Sequence, residues 1–140
     1  MQSTAISIET TVKASLDLVW EHWTNPEYIK QWNAASDDWH TPSATNDLRT
    51  GGSFTSRMEA RDGSTGFDFG GTYTDVTPKT HIAYKLGDDR EVDVTFEETT
   101  EGIHVCETFD IEHENPAEFQ RAGWQAILDN FKRHVENQEG

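Results

Sequence analysis

Apolar residues recur along this chain with two spacings, first every second residue and then every third or fourth. The change divides it into a series of short strands and one long terminal helix. Between Thr4 and Thr11, Ile6 and Ile8 share one face and Ser7 and Glu9 the other, the alternation of a half-buried strand. Ser15 then caps a short helix in which Leu16, Val19, Trp20 and Trp23 form an apolar stripe that stops near Thr24. Thr24 or Asn25 caps a second short helix, with Pro26 at its start, Glu27 in its first turn and Tyr28, Ile29 and Trp32 as packing residues. From Ala34 to Thr50 the chain is polar, weakly patterned and interrupted by Pro42, and reads as loop-rich.

Alternation returns after the Gly51-Gly52 turn. Phe54, Ser56 and Met58 share a face, Arg61-Asp62-Gly63 makes a hairpin-type connection, and Phe67, Phe69 and Tyr73 follow on the next strand. Gly70-Gly71 predicts a bulge or sharp bend in that strand. Ile82, Tyr84 and Leu86 come next, then Val92, Val94 and Phe96, then Ile103, Val105, Phe109 and Ile111, each set opposite polar residues. The helix predicted over 115–135 closes the chain. Asn115 caps it, Pro116 suits its first position, Glu118 completes an Asn-x-x-Glu box, and Trp124, Ile127, Leu128, Phe131 and Val135 form its apolar stripe. Gly123 interrupts this helix at a cost of about 1 kcal/mol relative to alanine, so the position calls for either close packing against a strand or open space. About six strands with one apolar face, plus one long helix, predict an α+β layer fold in which the sheet curls around the helix.

At 140 residues the chain is expected to be one domain, 1–140, with a sizeable core supplied by five Trp, seven Phe and three Tyr. Its net charge of −15 repels phosphate backbones, so no nucleic-acid partner is expected. The single Cys106 precludes an intramolecular disulfide, and residues Met1 to Thr10 show neither a basic start nor an apolar run. The expected compartment is therefore the cytoplasm. No apolar run reaches the length of a membrane span.

A set of short motifs keeps a fixed order along nearly the whole chain. Val19-Trp20 is followed by Thr24-Asn25-Pro26-Glu27 and Gln31-Trp32, then by Asp47-Leu48-Arg49-Thr50-Gly51-Gly52-Ser53-Phe54. Asp62-Gly63, Gly71-Thr72-Tyr73, Val94-Thr95-Phe96-Glu97 and Gly123-Trp124 with Ile127-Leu128-Asp129-Asn130 complete the series. In this order and spacing the chain resembles the AHSA-type branch, the homologues of activators of heat-shock-protein ATPase, of the SRPBCC or START-like superfamily. The resemblance implies a helix-grip fold of the START/Bet v kind. That fold has one strand, two short helices, six further strands and a C-terminal helix across the concave face of a curved antiparallel sheet, with a pocket between them.

The inward strand positions are nearly all apolar, and Glu107, between Val105 and Phe109, is the exception. A carboxyl in apolar surroundings has its ionised form disfavoured and can serve as acid, base or ligand-orienting group; solvation at a strand edge or a structural hydrogen bond is the alternative. The resemblance places Trp124, Ile127 and Phe131 over the pocket, opposite Phe54, Met58, Phe67, Phe69, Tyr84 and Phe96, and strand parity adds Glu107 and Phe109 to the pocket candidates. Any of these rings can instead simply fill the interior.

Other chemistry has little support. None of the six histidines (His22, His40, His81, His104, His113, His134) pairs with another at a metal-ligand spacing, so no metal is expected. His104 and Cys106 share a strand face without a second ligand pair, and Cys106 lacks a basic partner that would activate it. The glycine pairs lack a phosphate-loop pattern and the acidic run Glu97, Glu98 and Glu101 lacks calcium-loop spacing, so no cofactor is expected. The leading functional expectation is non-enzymatic binding of a small hydrophobic or aromatic molecule, such as a lipid, between sheet and helix. A co-chaperone that stimulates the heat-shock-protein-90 ATPase, with that chaperone as partner, is the alternative implied by the family. An enzyme of the cyclase or dehydratase kind found elsewhere in the superfamily, with Glu107 as its acid or base, is the third.

Overall fold

The two spacings resolve into strands and helices in a computed structural model that describes residues 5–34, 38–86, 89–112 and 116–139. Strand β1 (Ala5–Val12) is followed by helices α1 (Leu16–Thr24) and α2 (Pro26–Trp32). Then come β2 (Trp39–Asn46), β3 (Ser53–Ala60), β4 (Gly66–Thr77), β5 (His81–Leu86), β6 (Glu91–Thr99), β7 (Gly102–Asp110) and the long helix α3 (Ala117–Glu139). The strands make one curled antiparallel sheet in the order β1-β7-β6-β5-β4-β3-β2. Strands β2 to β7 pair with their sequence neighbours, whereas β1 pairs with the distant β7, setting Ile8 against Glu107 and Val12 against Ile103. The helix-grip arrangement is thus present, with α3 on the concave side.

Local chemistry sets the helix ends. The Ser15 hydroxyl accepts the Leu18 amide at 3.2 Å and starts α1. Asn25 ends that helix through its own N–H and starts α2 through its side-chain oxygen, which accepts the Glu27 amide at 3.0 Å, with Pro26 in the first turn. The Pro116 carbonyl accepts from Phe119 and Gln120 at 3.1 and 3.2 Å, so α3 begins one residue later than its first-position proline suggested. The predicted cap Asn115 lies outside the described residues. The Gln120 side chain then grips Glu112 from both sides, its oxygen accepting the Glu112 amide at 2.9 Å and its nitrogen donating to the Glu112 carbonyl at 3.0 Å. That pair fixes where the helix leaves the sheet.

Two expectations need correction. The stretch read as loop-rich contains β2, which pairs with β3 through residues as polar as His40, Ser43 and Thr45. Its register slips between His40 and Ser43, where Pro42 sits, so the proline occupies a bulge in an edge strand and leaves no ladder bond unmade. The bulge predicted at Gly70-Gly71 lies further along, between Tyr73 and Asp75 against β5. The glycine pair answers a different need: a Cβ on Gly70 would sit 2.4 Å from the Phe54 carbonyl oxygen and one on Gly71 2.4 Å from that of Lys85. The strands approach too closely there for any side chain.

The core lies between the concave face and the helices. Ile8, Val12, Val94, Val105 and Phe109 from the sheet and Leu128, Phe131 and Val135 from α3 are all buried, joined by Val19 of α1. The edge of β1 is covered by α3: Lys132 donates to the Thr11 carbonyl at 2.9 Å, Glu136 accepts the Lys13 amide at 2.9 Å, and Gln125 donates to the Glu9 carbonyl at 3.4 Å.

Candidate functional site

Near β1 the helix lies against the sheet, but toward β3 and β4 the two leave a cavity of about 230 Å³ between them. An apolar cavity of roughly 150 Å³ already holds a benzene-sized molecule, so this one has room for a ring with a substituent. Its walls follow from strand parity. Phe54, Ser56 and Met58 point in from β3, Phe67, Phe69 and Tyr73 from β4, Ile82 and Tyr84 from β5, and Glu107 from β7. Trp124, Ile127 and Leu128 close it from α3, and Trp23, Ile29, Trp32 and Asn33 from the first two helices and the residue after them. Eight of these residues are aromatic.

Phe54, Met58, Phe67, Phe69, Tyr84, Glu107, Trp124 and Ile127 lie together on the cavity wall. Three other candidates do not. Phe109 is fully buried behind Trp124, the two rings stacked with centroids 4.0 Å apart and planes 7° from parallel. Phe131 meets the edges of Trp23 and Trp32 at 4.9 and 4.8 Å, and Phe96 those of Trp20 and Trp23 at 5.5 and 5.7 Å. These three phenylalanines hold the tryptophans that face the cavity, and so support the wall from behind. Phe67, half exposed beside Trp39, marks the solvent side of the site.

Eight lining residues were not anticipated: Trp23, Ile29, Trp32, Asn33, Ser56, Tyr73, Ile82 and Leu128. For Ser56 and Tyr73 the signal was present, since Ser56 shares strand parity with Phe54 and Met58, two residues to either side, and Tyr73 with Phe69, four residues before it. For α2 no such signal exists, because an apolar stripe reports burial and not which neighbour is missing. Gly123 belongs to the same description: a Cβ there would meet nothing within 4 Å, so the glycine borders open space and not a packed strand.

The polar groups divide into those already engaged and those that are not. Tyr73 donates its hydroxyl to Asn46 Oδ1 at 2.5 Å, and Asn46 in turn donates to the Thr24 carbonyl at 2.6 Å. Burial pushes the Tyr73 phenol up to about 12, the Asn46 bond opposing it only in part. Asn33 donates its side-chain amide to the Met58 sulfur at 3.4 Å, and the Thr41 hydroxyl, 3.2 Å from that sulfur, donates to the Asn33 carbonyl at 2.6 Å. By contrast the Glu107 carboxyl, the Tyr84 hydroxyl and the Ser56 hydroxyl make no hydrogen bond among the described residues; the three residues are nearly enclosed, but their polar atoms stay accessible from the cavity they line. Desolvation raises the Glu107 carboxyl to about 8, so at neutral pH it is mostly protonated. Burial drives Tyr84 well above the usual phenol range, and the Glu107 and Tyr73 groups nearby add to the shift. Among the described residues no Lys, Arg or His lines the cavity to balance an anion.

Elsewhere the chemistry is structural. Cys106 faces away from the cavity on β7, and burial, then Glu9, raises its thiol. His104 reaches Glu9 at 3.2 Å. His81 lies between Asp75 and Asp93, at 2.7 and 2.6 Å, on the outer face of the sheet. Sequence spacing gave no warning that His22 of α1 and His134 of α3 meet, ring nitrogen to ring nitrogen, at 2.9 Å. Among the described residues no three His, Cys, Asp or Glu side chains gather as a metal would require, and no helix is long and apolar enough to cross a membrane.

Solved structures with this architecture include that of an AHSA1-like protein from Aeromonas hydrophila, 48% identical, with a TM-score of 0.92 over 97% of this chain and 94% of that one. A Cytophaga hutchinsonii protein is 47% identical, with a TM-score of 0.82 over 95% and 92% of the two chains. A Chromobacterium violaceum protein shares the fold at 21% identity, with a TM-score of 0.82 over 95% and 98%. Comparison with curated proteins gives no match. The family profile described as "Activator of Hsp90 ATPase homolog 1-like protein" matches residues 13–136, and with that match, the fold and the close likeness to the Aeromonas protein, the chain belongs to the AHSA1 family.

Proposed function

We propose that this protein is a non-enzymatic container for one small, largely apolar molecule with an aromatic or similarly flat body. The observation that carries this reading is the cavity itself: about 230 Å³ walled by eight aromatic residues, with three polar side chains on its wall, Glu107, Tyr84 and Ser56, that make no hydrogen bond among the described residues and stay accessible from the cavity. An ordinary core would fill such a space, because each void forfeits dispersion contacts, and it would pair its buried polar groups. Sites for small molecules are mostly apolar with a few placed polar groups, and this wall has that composition.

The test is an NMR titration of the labelled protein with a panel of aromatic metabolites and short lipids. Indole and amide shifts at Trp124, Trp32 and Glu107 are expected for at least one compound class. They should disappear in Ser56→Leu, which puts an apolar side chain into the space. A panel that moves none of these signals overturns the reading. The family description favours a second reading, a co-chaperone acting on a heat-shock-protein-90 ATPase. It is checked by the chaperone's turnover with and without this protein, and unchanged turnover removes it.

A further inference from the structure

Among the described residues Glu107 is the one carboxyl on a wall otherwise made of rings, aliphatic groups and neutral polar groups, and it makes no hydrogen bond or ion pair with them. An unpaired acid at this depth costs stability that a glutamine or leucine would not cost. Its presence is explained if the missing partner arrives with the ligand. An anion is disfavoured as that partner, since no cationic side chain among the described residues lines the cavity and the whole molecule carries −15. A positive group would be favoured three ways. It would meet the Glu107 carboxylate, it would face the electron-rich surfaces of Trp23, Trp32 and Trp124, and the field of the molecule would draw it in.

We infer that the molecule held in the cavity is a small organic cation, a protonated amine or quaternary ammonium on an apolar or aromatic body, with its charged head on Glu107. The inference rests on the container reading and adds the ligand's charge to it. Binding then takes the proton from Glu107: the carboxyl enters as COOH, leaves its proton to solvent and ends as a carboxylate paired with the cation. Tyr84 and Ser56, with free hydroxyls at the same wall, can each donate to that carboxylate or to a polar substituent of the ligand.

The experiment compares three probes of similar body by calorimetry and NMR: 2-phenylethyl-trimethylammonium, whose charge does not titrate, neutral 4-phenyl-2-butanone, and 3-phenylpropanoate. With a Glu107 carboxyl near 8, the ammonium probe should bind about tenfold tighter at pH 9 than at pH 7, in step with the ionised fraction. The ketone should show no such rise and the carboxylate should not bind. In Glu107→Gln, close in shape and uncharged, the ammonium probe should lose both its pH response and its advantage over the ketone measured in the same variant. An ammonium probe that binds no more tightly than the ketone, or with no pH response, overturns the cation inference. Ketone binding in that case leaves the container standing, whereas failure of every probe overturns both.

Discussion

Glu107 shows how much one residue's surroundings decide. Its parity on β7 places it inward, Val105 and Phe109 exclude water on either side, and the carboxyl therefore holds its proton to about 8. Because this folded-state value lies above the unfolded one near 4.5, its contribution to stability is full below about pH 4.5 and is lost as pH rises through 8. Without ligand, denaturant unfolding should show stability falling by up to about 1.4 kcal/mol per pH unit across that window, and Glu107→Gln should abolish the fall. His22 and His134 act in the opposite sense. Burial lowers both, with the neighbouring ring a further cause for His134, so their contribution is present above about pH 6.5 and lost as pH falls. The same titration should therefore show an acid limb that His22→Gln reduces. Glu107 was legible in the sequence because a strand's faces alternate strictly. The histidine pair was not, since its members stand 112 residues apart on two helices whose docking no local pattern reports.

At the scale of elements, legibility followed amphipathicity. Strands β3 and β5 to β7 and helix α3 each bury one face against the core, and their periods announced them. Strand β2 buries Thr41 where others bury valine or phenylalanine, so its identity comes from pairing with β3 and not from pattern. The cavity was only partly legible for a related reason: side-chain periodicity marks which face is inward, whereas the space left between two inward faces depends on how far apart the elements dock. Gly123 tests that spacing. Since a methyl group there meets nothing, Gly123→Ala should stabilise the protein by about 0.5–1 kcal/mol through helix propensity and the unfolded chain's lost freedom, measured as a shift in denaturant midpoint. A destabilised variant would mean that the helix sits closer to its neighbours than described.

For the whole molecule, 26 acidic against 11 basic residues leave a field that opposes compaction. Salt screens interactions between exposed charges beyond roughly 10 Å at 0.1 M, so the melting temperature should rise between low and moderate sodium chloride before hydrophobic salting effects take over. The same field should speed association of the cationic probe at low ionic strength and slow it as salt is added. The pairing of β1 with β7 has a consequence for biosynthesis. When the first strand leaves the ribosome, the chain segment that will complete its hydrogen-bond ladder has yet to be translated, and so have the side chains of α3 that will shield its open edge. The sheet is therefore sealed only once β7 and α3 have emerged. Until then the nascent amino-terminal strand is an unmatched ribbon, and the last third of the polypeptide decides whether it finds its own seam or a stranger's.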